Sequence, residues 1–186
     1  MSNSGAANRY MHGGRKNMSA TLQSTSDIAV LRGQNRTTQF AVKVNTEGIS
    51  HAESLVSPAS GGNNINWVVG HLVCVYNNVL PAVGQPTVLD YDKVKRYDRG
   101  SKPITAADAI EFATLLAGFD EAVVRFETGL GALTPEQLDE KAPFSPANNP
   151  DETVRSLMSL VAFHQAYHSG QLGVLRRVIG KPAAFK

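Results

Sequence analysis

Two histidines lie four residues apart in the segment FHQAYHSGQ, residues 163 to 171. Residues at i and i+4 of a helix share one face, with Cβ atoms about 6 Å apart, so two imidazole nitrogens can reach one metal ion. Two imidazoles that face a core are costly to bury unless their ring nitrogens find partners. The spacing of His164 and His168 therefore predicts either part of a metal site or two core histidines that hydrogen-bond to neighbouring groups.

The helix around this pair has an apolar line interrupted by polar residues at its centre. Steps of three and four along it give Leu157, Val161, His164, His168, Gln171, Leu175 and Val178. Both histidines therefore lie on the buried side of the helix. Gln171, one turn beyond His168, is a candidate for orienting a ligand or a substrate. Tyr167 is a candidate proton donor, with packing as the alternative.

A third histidine has a similar setting in the segment NNINWVVGHLVCVYNN, residues 63 to 78. Its inward line consists of Asn64, Trp67, His71, Cys74 and Asn78. Asn64 is interpreted as a helix cap, and Trp67 and Cys74 as packing residues. Gly70 either lets another segment come close or keeps space open beside His71. His51 lies in a connecting segment, and we expect it at the surface and outside the site.

Three inward histidines from two helices predict one metal site formed by His71, His164 and His168. Three neutral ligands leave a divalent ion with its full charge and an open position, which is typical of catalytic sites. An ion of this kind can lower the pKa of bound water or bind a thiol as thiolate. The ligand set suits Zn, Ni, Fe or Co, and the sequence does not distinguish among them.

These histidines require long helices to position them. The pattern predicts four: about residues 26 to 44, about residues 64 to 80, one that begins at Thr105 in the segment TAAD, and one from Asn149 or Pro150 to Gly180. The third helix has inward residues Ala109, Phe112, Leu116, Phe119, Val123 and Phe126. A short helix with Thr134 as its N-cap precedes the fourth. No alternating strand pattern occurs, so we predict an all-α four-helix bundle with a long crossover connection.

Composition limits the remaining alternatives. The chain has 186 residues, 42% hydrophobic residues, a net charge of +2 and one cysteine. We expect one domain at residues 26 to 186 after a disordered tail at residues 1 to 25, which lacks an apolar stripe. The basic and acidic residues of positions 90 to 102 alternate, so we interpret this stretch as a solvated loop. We expect no nucleic-acid partner, no membrane span and a cytoplasmic location.

The segments NWVVGHL and HQAYHSGQLGVLRRVIG resemble the signature of the DinB/YfiT-like superfamily of bacterial four-helix proteins. Members with this pattern bind a divalent metal through one histidine of the second helix and an H-x-x-x-H pair of the fourth. The resemblance implies the same ligands here: His71, His164 and His168. A mycothiol-dependent isomerase of the superfamily has a glutamate at one of these positions, whereas this chain has three histidines. The bacillithiol-transferase-like branch is therefore the nearer resemblance.

The resemblance implies a metal-dependent S-transferase or hydrolase that acts on a small electrophilic substrate, with a low-molecular-weight thiol as a possible cosubstrate. The alternative is a non-catalytic metal- or ligand-binding protein of a stress response. A bundle site is compatible with many substrates, because family membership determines the metal ligands better than the reaction. The oligomeric state is open, and a homodimer is one possibility.

Overall fold

Residues 11 to 185 are described in the computed structural model, with side chains from Asp27 onwards. Four long helices form the bundle: α1 (Met11–Thr46), α3 (Ile65–Val79), α5 (Phe112–Ala132) and α7 (Val154–Val178). Three short helices lie in the connections: α2 (His51–Ser54), α4 (Tyr91–Val94) and α6 (Pro135–Asp139). No β-strand occurs between residues 11 and 185, so the predicted all-α fold is confirmed.

The helices α1 and α3 lie diagonally opposite each other, because each contacts both α5 and α7. The helices α1 and α7 run parallel. Arg155 at the start of α7 pairs with Asp27, and Arg176 near its end donates to the carbonyl of Asn45 at 3.2 Å. This arrangement places α7 between α1 and α3, so one side of α7 faces α3 over its central turns.

A long crossover joins α3 to α5 and makes these two helices parallel. At one end the Asn66 amide donates to the carbonyl of Ile110 at 3.0 Å, and at the other Gly129 lies against Val83. Parallel neighbours require a connection that returns along the length of the bundle. Residues 80 to 111 make this return, with α4 and two 3-10 turns along the way. The predicted long crossover is thus present.

Apolar side chains of all four long helices fill the core. On α5 the buried residues include Phe112, Phe119, Val123 and Phe126, as the spacing predicted. The rings of Phe119 and Phe126 pack against Tyr76 of α3, with centroids 5.8 and 5.4 Å away. In the part of the chain that the structure describes, no helix has the length and apolar content needed to cross a membrane.

The first helix begins earlier than expected. The sequence predicted a start at about Ser26, whereas α1 already begins at Met11. No proline occurs before Pro58, so nothing in this stretch breaks a helical backbone, and hydrogen bonding along a helix does not require an apolar stripe. Residues 1 to 10 of the predicted tail lie outside the described residues, so for these ten residues disorder stays a prediction.

The third long helix begins later than expected, at Phe112 instead of Thr105. Residues 105 to 108 form a single turn, closed by the Thr105 hydroxyl, which donates to the Asp108 carboxylate at 3.0 Å. The chain then leaves the helical path, because the backbone N–H of Ile110 donates to the Tyr97 hydroxyl at 2.8 Å. The predicted start at Thr105 was therefore wrong, and Ala109 precedes the helix.

The fourth long helix also starts later than predicted, at Val154 instead of Asn149 or Pro150. Asn149 uses its side chain to accept the backbone N–H of Asp151, which closes a turn outside the helix. Thr153 is the N-cap and forms a capping box with Ser156. The predicted capping box of α6, between Thr134 and Gln137, is confirmed.

Candidate metal centre

His71 is positioned by the N-terminal part of α3. Asn64 is the N-cap, and its side chain accepts the backbone N–H of Trp67 at 2.9 Å, as the sequence predicted. Two turns of helix then place the His71 ring toward α7, where it is only 4% exposed. Its Nδ1 lies 2.7 Å from the carbonyl oxygen of Tyr97, so Nδ1 carries the proton and Nε2 is left as a lone pair.

Gly70 allows the crossover to supply this acceptor. A Cβ atom at this position would lie 2.2 Å from the ring of Tyr97, so only glycine lets that ring pack directly on α3. The Tyr97 hydroxyl in turn donates to Asn66 at 2.9 Å. Close approach of another segment, one of the two roles considered for Gly70, is therefore what the structure shows.

The other two histidines come from successive turns of α7. The ring centroids of His164 and His168 lie 4.4 Å apart, which is consistent with their spacing of four residues. His168 is 9% exposed, and its Nδ1 lies 2.8 Å from Oε1 of Gln171. Because an amide oxygen accepts only, His168 also presents an Nε2 lone pair.

The three rings converge into one cluster of nitrogens, here called the histidine cluster (His71, His164, His168). Their ligand atoms all lie within 4.8 Å of one another, and the Nε2 atoms of His71 and His164 are 3.2 Å apart. Two nitrogens bound at roughly 2.1 Å to one tetrahedral ion would lie about 3.4 Å apart. The histidine cluster could therefore hold a metal ion with little rearrangement, and its donors fit Zn, Ni or Fe.

Burial keeps these rings neutral. Desolvation lowers the pKa of His71, although the hydrogen bond to Tyr97 opposes the change. Desolvation, together with the neighbouring rings of His168 and His71, lowers the pKa of His164 to about 4. Desolvation also lowers the pKa of His168, against the hydrogen bond to Gln171. Neutral imidazole is the form that binds metals, so the cluster is in its binding form at neutral pH.

Two contributors to the site were not predicted in this role. Trp67, interpreted as a packing residue, stacks on the His71 ring with centroids 4.7 Å apart and donates from Nε1 to Ser101 at 2.9 Å. Its position four residues before His71 was the available signal for this contact. Tyr97 had no such signal, because its carbonyl reaches His71 from the crossover, 26 residues along the chain.

The remaining candidate residues lie around the cluster or outside it. Gln171 contacts His168, whereas Tyr167 is 57% exposed and packs edge-on against the His168 ring at 5.2 Å. Cys74 is fully buried, and desolvation raises the pKa of its thiol to about 12. His51 is outside the site but only partly exposed, since its Nδ1 accepts the backbone N–H of Phe112 at the start of α5. The His51 side chain is 30% exposed, so it reaches the surface, as expected.

A cavity of about 450 Å³ opens beside the histidine cluster, with His71 and His164 in its wall. Apolar side chains of α3, α7 and the connection between α6 and α7 form most of the lining, and Phe144 is one of those from the connection. Asp98 and Arg99 of the crossover also line it. A small molecule in this cavity would therefore lie directly beside the cluster.

A comparison with protein families shows which family most of the bundle is related to. The model of the DinB superfamily matches residues 32–172, which is most of the chain and includes all three histidines. The chain belongs to the DinB superfamily. A search of proteins of curated function finds no match.

Proposed function

We propose that this protein is a divalent-metal-dependent enzyme, a thiol-dependent S-transferase or a hydrolase, that acts on a small electrophilic substrate. The ligands are His71, His164 and His168. The observation that carries the proposal is that three neutral imidazoles converge at the wall of an apolar cavity. A purely structural site would have no need for an adjoining cavity of substrate size.

The surrounding residues support this use of the cluster. A divalent ion with three neutral ligands supplies a Lewis acid that favours the deprotonated form of water or of a thiol. The protein orients the His71 ring through the Tyr97 carbonyl and the His168 ring through Gln171. The apolar wall of the cavity excludes water. The buried Cys74 thiol, whose pKa is raised to about 12, is unsuited to be the nucleophile. The attacking group therefore comes from solvent or from a small thiol.

The bacillithiol-transferase-like branch is our choice within the superfamily, on the basis of the three-histidine pattern. Gln171 is proposed to orient His168, in keeping with its hydrogen bond to that ring. Tyr167 stays a candidate proton donor, with packing on His168 as the alternative role. We also propose a cytoplasmic location, supported by the single cysteine and the small net charge.

The experiment is an activity screen on protein reconstituted separately with Zn²⁺, Ni²⁺ and Fe²⁺. Aryl halides with and without cysteine or coenzyme A test S-transfer, and nitrophenyl esters test hydrolysis. We expect turnover that requires metal and is lost in His168→Ala, with Lys102→Gln as a surface control. Stoichiometric metal without turnover of any electrophile would instead favour the non-catalytic metal-binding protein.

A homodimer is proposed on a separate observation. One face of α7 carries the exposed apolar residues Phe163, Tyr167, Val174 and Val178 at helical spacing, with exposed fractions from 45% to 67%. Gly170 lies within this stripe, and a Cβ atom at this position would contact nothing within 4 Å, so there is space for a second helix to approach closely. Sedimentation equilibrium of the wild type and of Val174→Glu tests this. A monomeric wild type would rule the homodimer out.

A further inference from the structure

One cation of the crossover, Arg99, lies at the cavity beside the histidine cluster. Lys95 pairs with Asp92 at 2.7 Å, and Arg96 donates to the carbonyl of Asp108. Among the described residues, the Arg99 guanidinium has neither an ion pair nor a side-chain hydrogen bond, yet Arg99 lines the cavity beside the histidine cluster. An unpaired guanidinium next to an apolar cavity is a suitable group for binding a carboxylate through two hydrogen bonds.

The charges around the cavity favour an anion. Asp98 also lines it, but this carboxylate already accepts the backbone N–H of Arg99 at 2.7 Å. Within the described residues, Arg99 is the one cation of the lining. A divalent ion with neutral ligands would add further positive charge at the same end.

The rest of the cavity favours an apolar body. The cavity is lined by the apolar side chains of Val75, Val79, Phe144, Leu160, Val161 and Phe163. Its volume of about 450 Å³ exceeds that of a two-ring aromatic molecule. A ligand with an apolar body and one charged end would bury its apolar part in this cavity while its charged end stays near Arg99.

We propose that the cavity binds an amphipathic carboxylate, with its apolar part between α3 and α7 and its carboxylate on Arg99. This identifies the substrate class of the site and rests on the proposed function for its catalytic use. The binding itself requires no metal. The sequence did not indicate a role for Arg99 in binding, because the alternating charges of residues 90 to 102 are typical of a solvated loop.

The test compares 2-naphthoate with 2-naphthamide, which has a similar shape but no charge. Dissociation constants are measured by calorimetry for the wild type, Arg99→Gln and Lys102→Gln, each metal-free and metal-loaded. We expect wild type to prefer naphthoate by about tenfold, as one charge-assisted contact predicts. Arg99→Gln should lose the preference, and Lys102→Gln, with the same change of charge, should keep it.

Equal affinities of the wild type for the two probes, or a preference that survives in Arg99→Gln, would overturn the proposal. Because the metal-free protein is included, this outcome is separate from a failure of the proposed enzyme. A protein that binds naphthoate through Arg99 but shows no metal-dependent turnover would keep this inference and refute the enzyme.

A different observation assigns a role to Gln165. Among the described residues, two buried side-chain polar atoms lack a hydrogen-bond partner: Nδ1 of His164 and Oε1 of Gln165. They belong to adjacent residues, and the Gln165 amide is close enough to His164 to oppose the larger effect of burial, which lowers the pKa of that ring. The other two histidines of the cluster already have an acceptor at Nδ1, namely the Tyr97 carbonyl and Gln171. His164 is the exception.

The protonation of the cluster explains this exception. His71 donates from Nδ1, so its Nε2 is an acceptor, and the His164 Nε2 at 3.2 Å must carry the proton between them. The Nδ1 of His164 is then unprotonated and needs no acceptor. Binding of an ion by Nε2 of His164 would move the proton to Nδ1, which would then need one.

We infer that Gln165 is a positioning residue that accepts the Nδ1–H of His164 when this ring binds a metal. Gln165 is 1% exposed, and its Nε2 donates to the carbonyl of Leu72 on α3 at 3.4 Å. That contact holds the amide between the two helices that supply the ligands. The hydrogen bond to Leu72, the residue that follows His71, therefore positions the acceptor oxygen of Gln165.

The test is metal affinity, measured with Co²⁺ in competition with a chelator. Gln165→Leu should weaken binding by about 10- to 100-fold, and Gln165→Glu, which keeps an acceptor oxygen, should bind more tightly than Gln165→Leu. Nitrogen-15 chemical shifts of wild-type His164 should show the proton moving from Nε2 to Nδ1 on loading with Zn²⁺. Unchanged affinity in a folded Gln165→Leu, or a loaded His164 without a proton on Nδ1, would refute the assignment.

Discussion

Two polar clusters in the otherwise apolar interior of this bundle differ in how their hydrogen bonds are satisfied. The first is the histidine cluster. The second, here called the asparagine cluster (Asn35, Tyr76, Glu127), joins α1, α3 and α5. Its Tyr76 hydroxyl donates to Asn35, whose amide donates to Glu127 at 3.0 Å, and Arg32 donates to the same carboxylate at 3.0 Å. Each member therefore has a protein partner.

The histidine cluster is not completed in this way. Its Nε2 atoms converge with at most one N–H among them, because His71 and His168 use their protons at Nδ1. Lone pairs that point at one another are costly unless a cation lies between them. A polar residue in a core seam therefore indicates a ligand site only when its neighbours cannot satisfy its hydrogen-bonding groups.

The largest effect is expected from loss of a ligand in the histidine cluster. Replacing His71, His164 or His168 with Ala leaves at most two protein ligands. Metal affinity should fall by more than about 100-fold, the upper range for loss of only a supporting partner. The stabilisation by metal, about 2.7 kcal/mol when its free concentration is 100 times Kd, should shrink accordingly. Metal content and chelator-sensitive melting measure both effects.

The matched control for these variants is Cys74→Ala on the same helix as His71. Cys74 is fully buried but does not belong to the cluster, so this variant should keep its metal while losing some packing stability. Full metal content in the three histidine variants, or a wild type that a chelator does not affect, would show that the imidazoles are only core residues.

The sequence revealed the histidine cluster as an interruption of two helical seams, but it did not show which groups would satisfy its members. His71, His164 and His168 were identified because spacing within each helix is a local property. The partners that satisfy or fail to satisfy them come from other elements. The partner of an inward residue, such as Glu127 for Asn35 or His164 for His71, depends on how the helices align with one another. That alignment cannot be predicted from the periodicity of a single helix.

The same limit explains the misplaced helix starts. The segment TAAD has the composition of a capping box, and it does form a turn, but Tyr97 captures the backbone N–H of Ile110 and ends it. Tyr97 also provides the acceptor for His71. One residue of the crossover thus determines both the start of α5 and the orientation of a site histidine. Neither effect was predictable from periodicity.

The second prediction concerns the support that the histidine cluster receives from Gly70. A Cβ in Gly70→Ala would overlap the Tyr97 ring at 2.2 Å, so the crossover must shift. We expect a loss of about 3 kcal/mol in the free energy of unfolding, together with weaker metal binding as the His71 acceptor moves. Gly33→Ala on α1 has nothing within 4 Å and should stabilise the protein by up to about 1 kcal/mol. Chemical denaturation measures the free energy of unfolding, and a metal titration measures the affinity. If Gly70→Ala matched the wild type in both, the Tyr97 ring could move aside without cost.

The third prediction concerns the asparagine cluster. Tyr76→Phe removes a hydroxyl from a fully buried site and leaves Asn35 with an unsatisfied acceptor. The free energy of unfolding should fall by about 1 to 2 kcal/mol, with one equivalent of metal still bound. This result would distinguish the two clusters: the asparagine cluster contributes mainly to stability, and the histidine cluster to metal binding. Complete loss of metal in Tyr76→Phe would show that they act as one unit.

The smallest effect is expected from pH on the metal-free protein. Desolvation and the neighbouring histidines lower the pKa of His164 from 6.5 to about 4. Between these values the unfolded chain binds a proton at His164 that the folded chain does not, so acid favours unfolding. Stability should therefore be fully present above pH 6.5 and decrease as the pH falls toward 4. Melting temperatures of the wild type and of His164→Asn across this range test the effect: the variant should show a shallower decrease, because it lacks one of the three histidines whose pKa is lowered by folding. Equal slopes in the two proteins would mean that His164 is as easily protonated in the folded chain as in water.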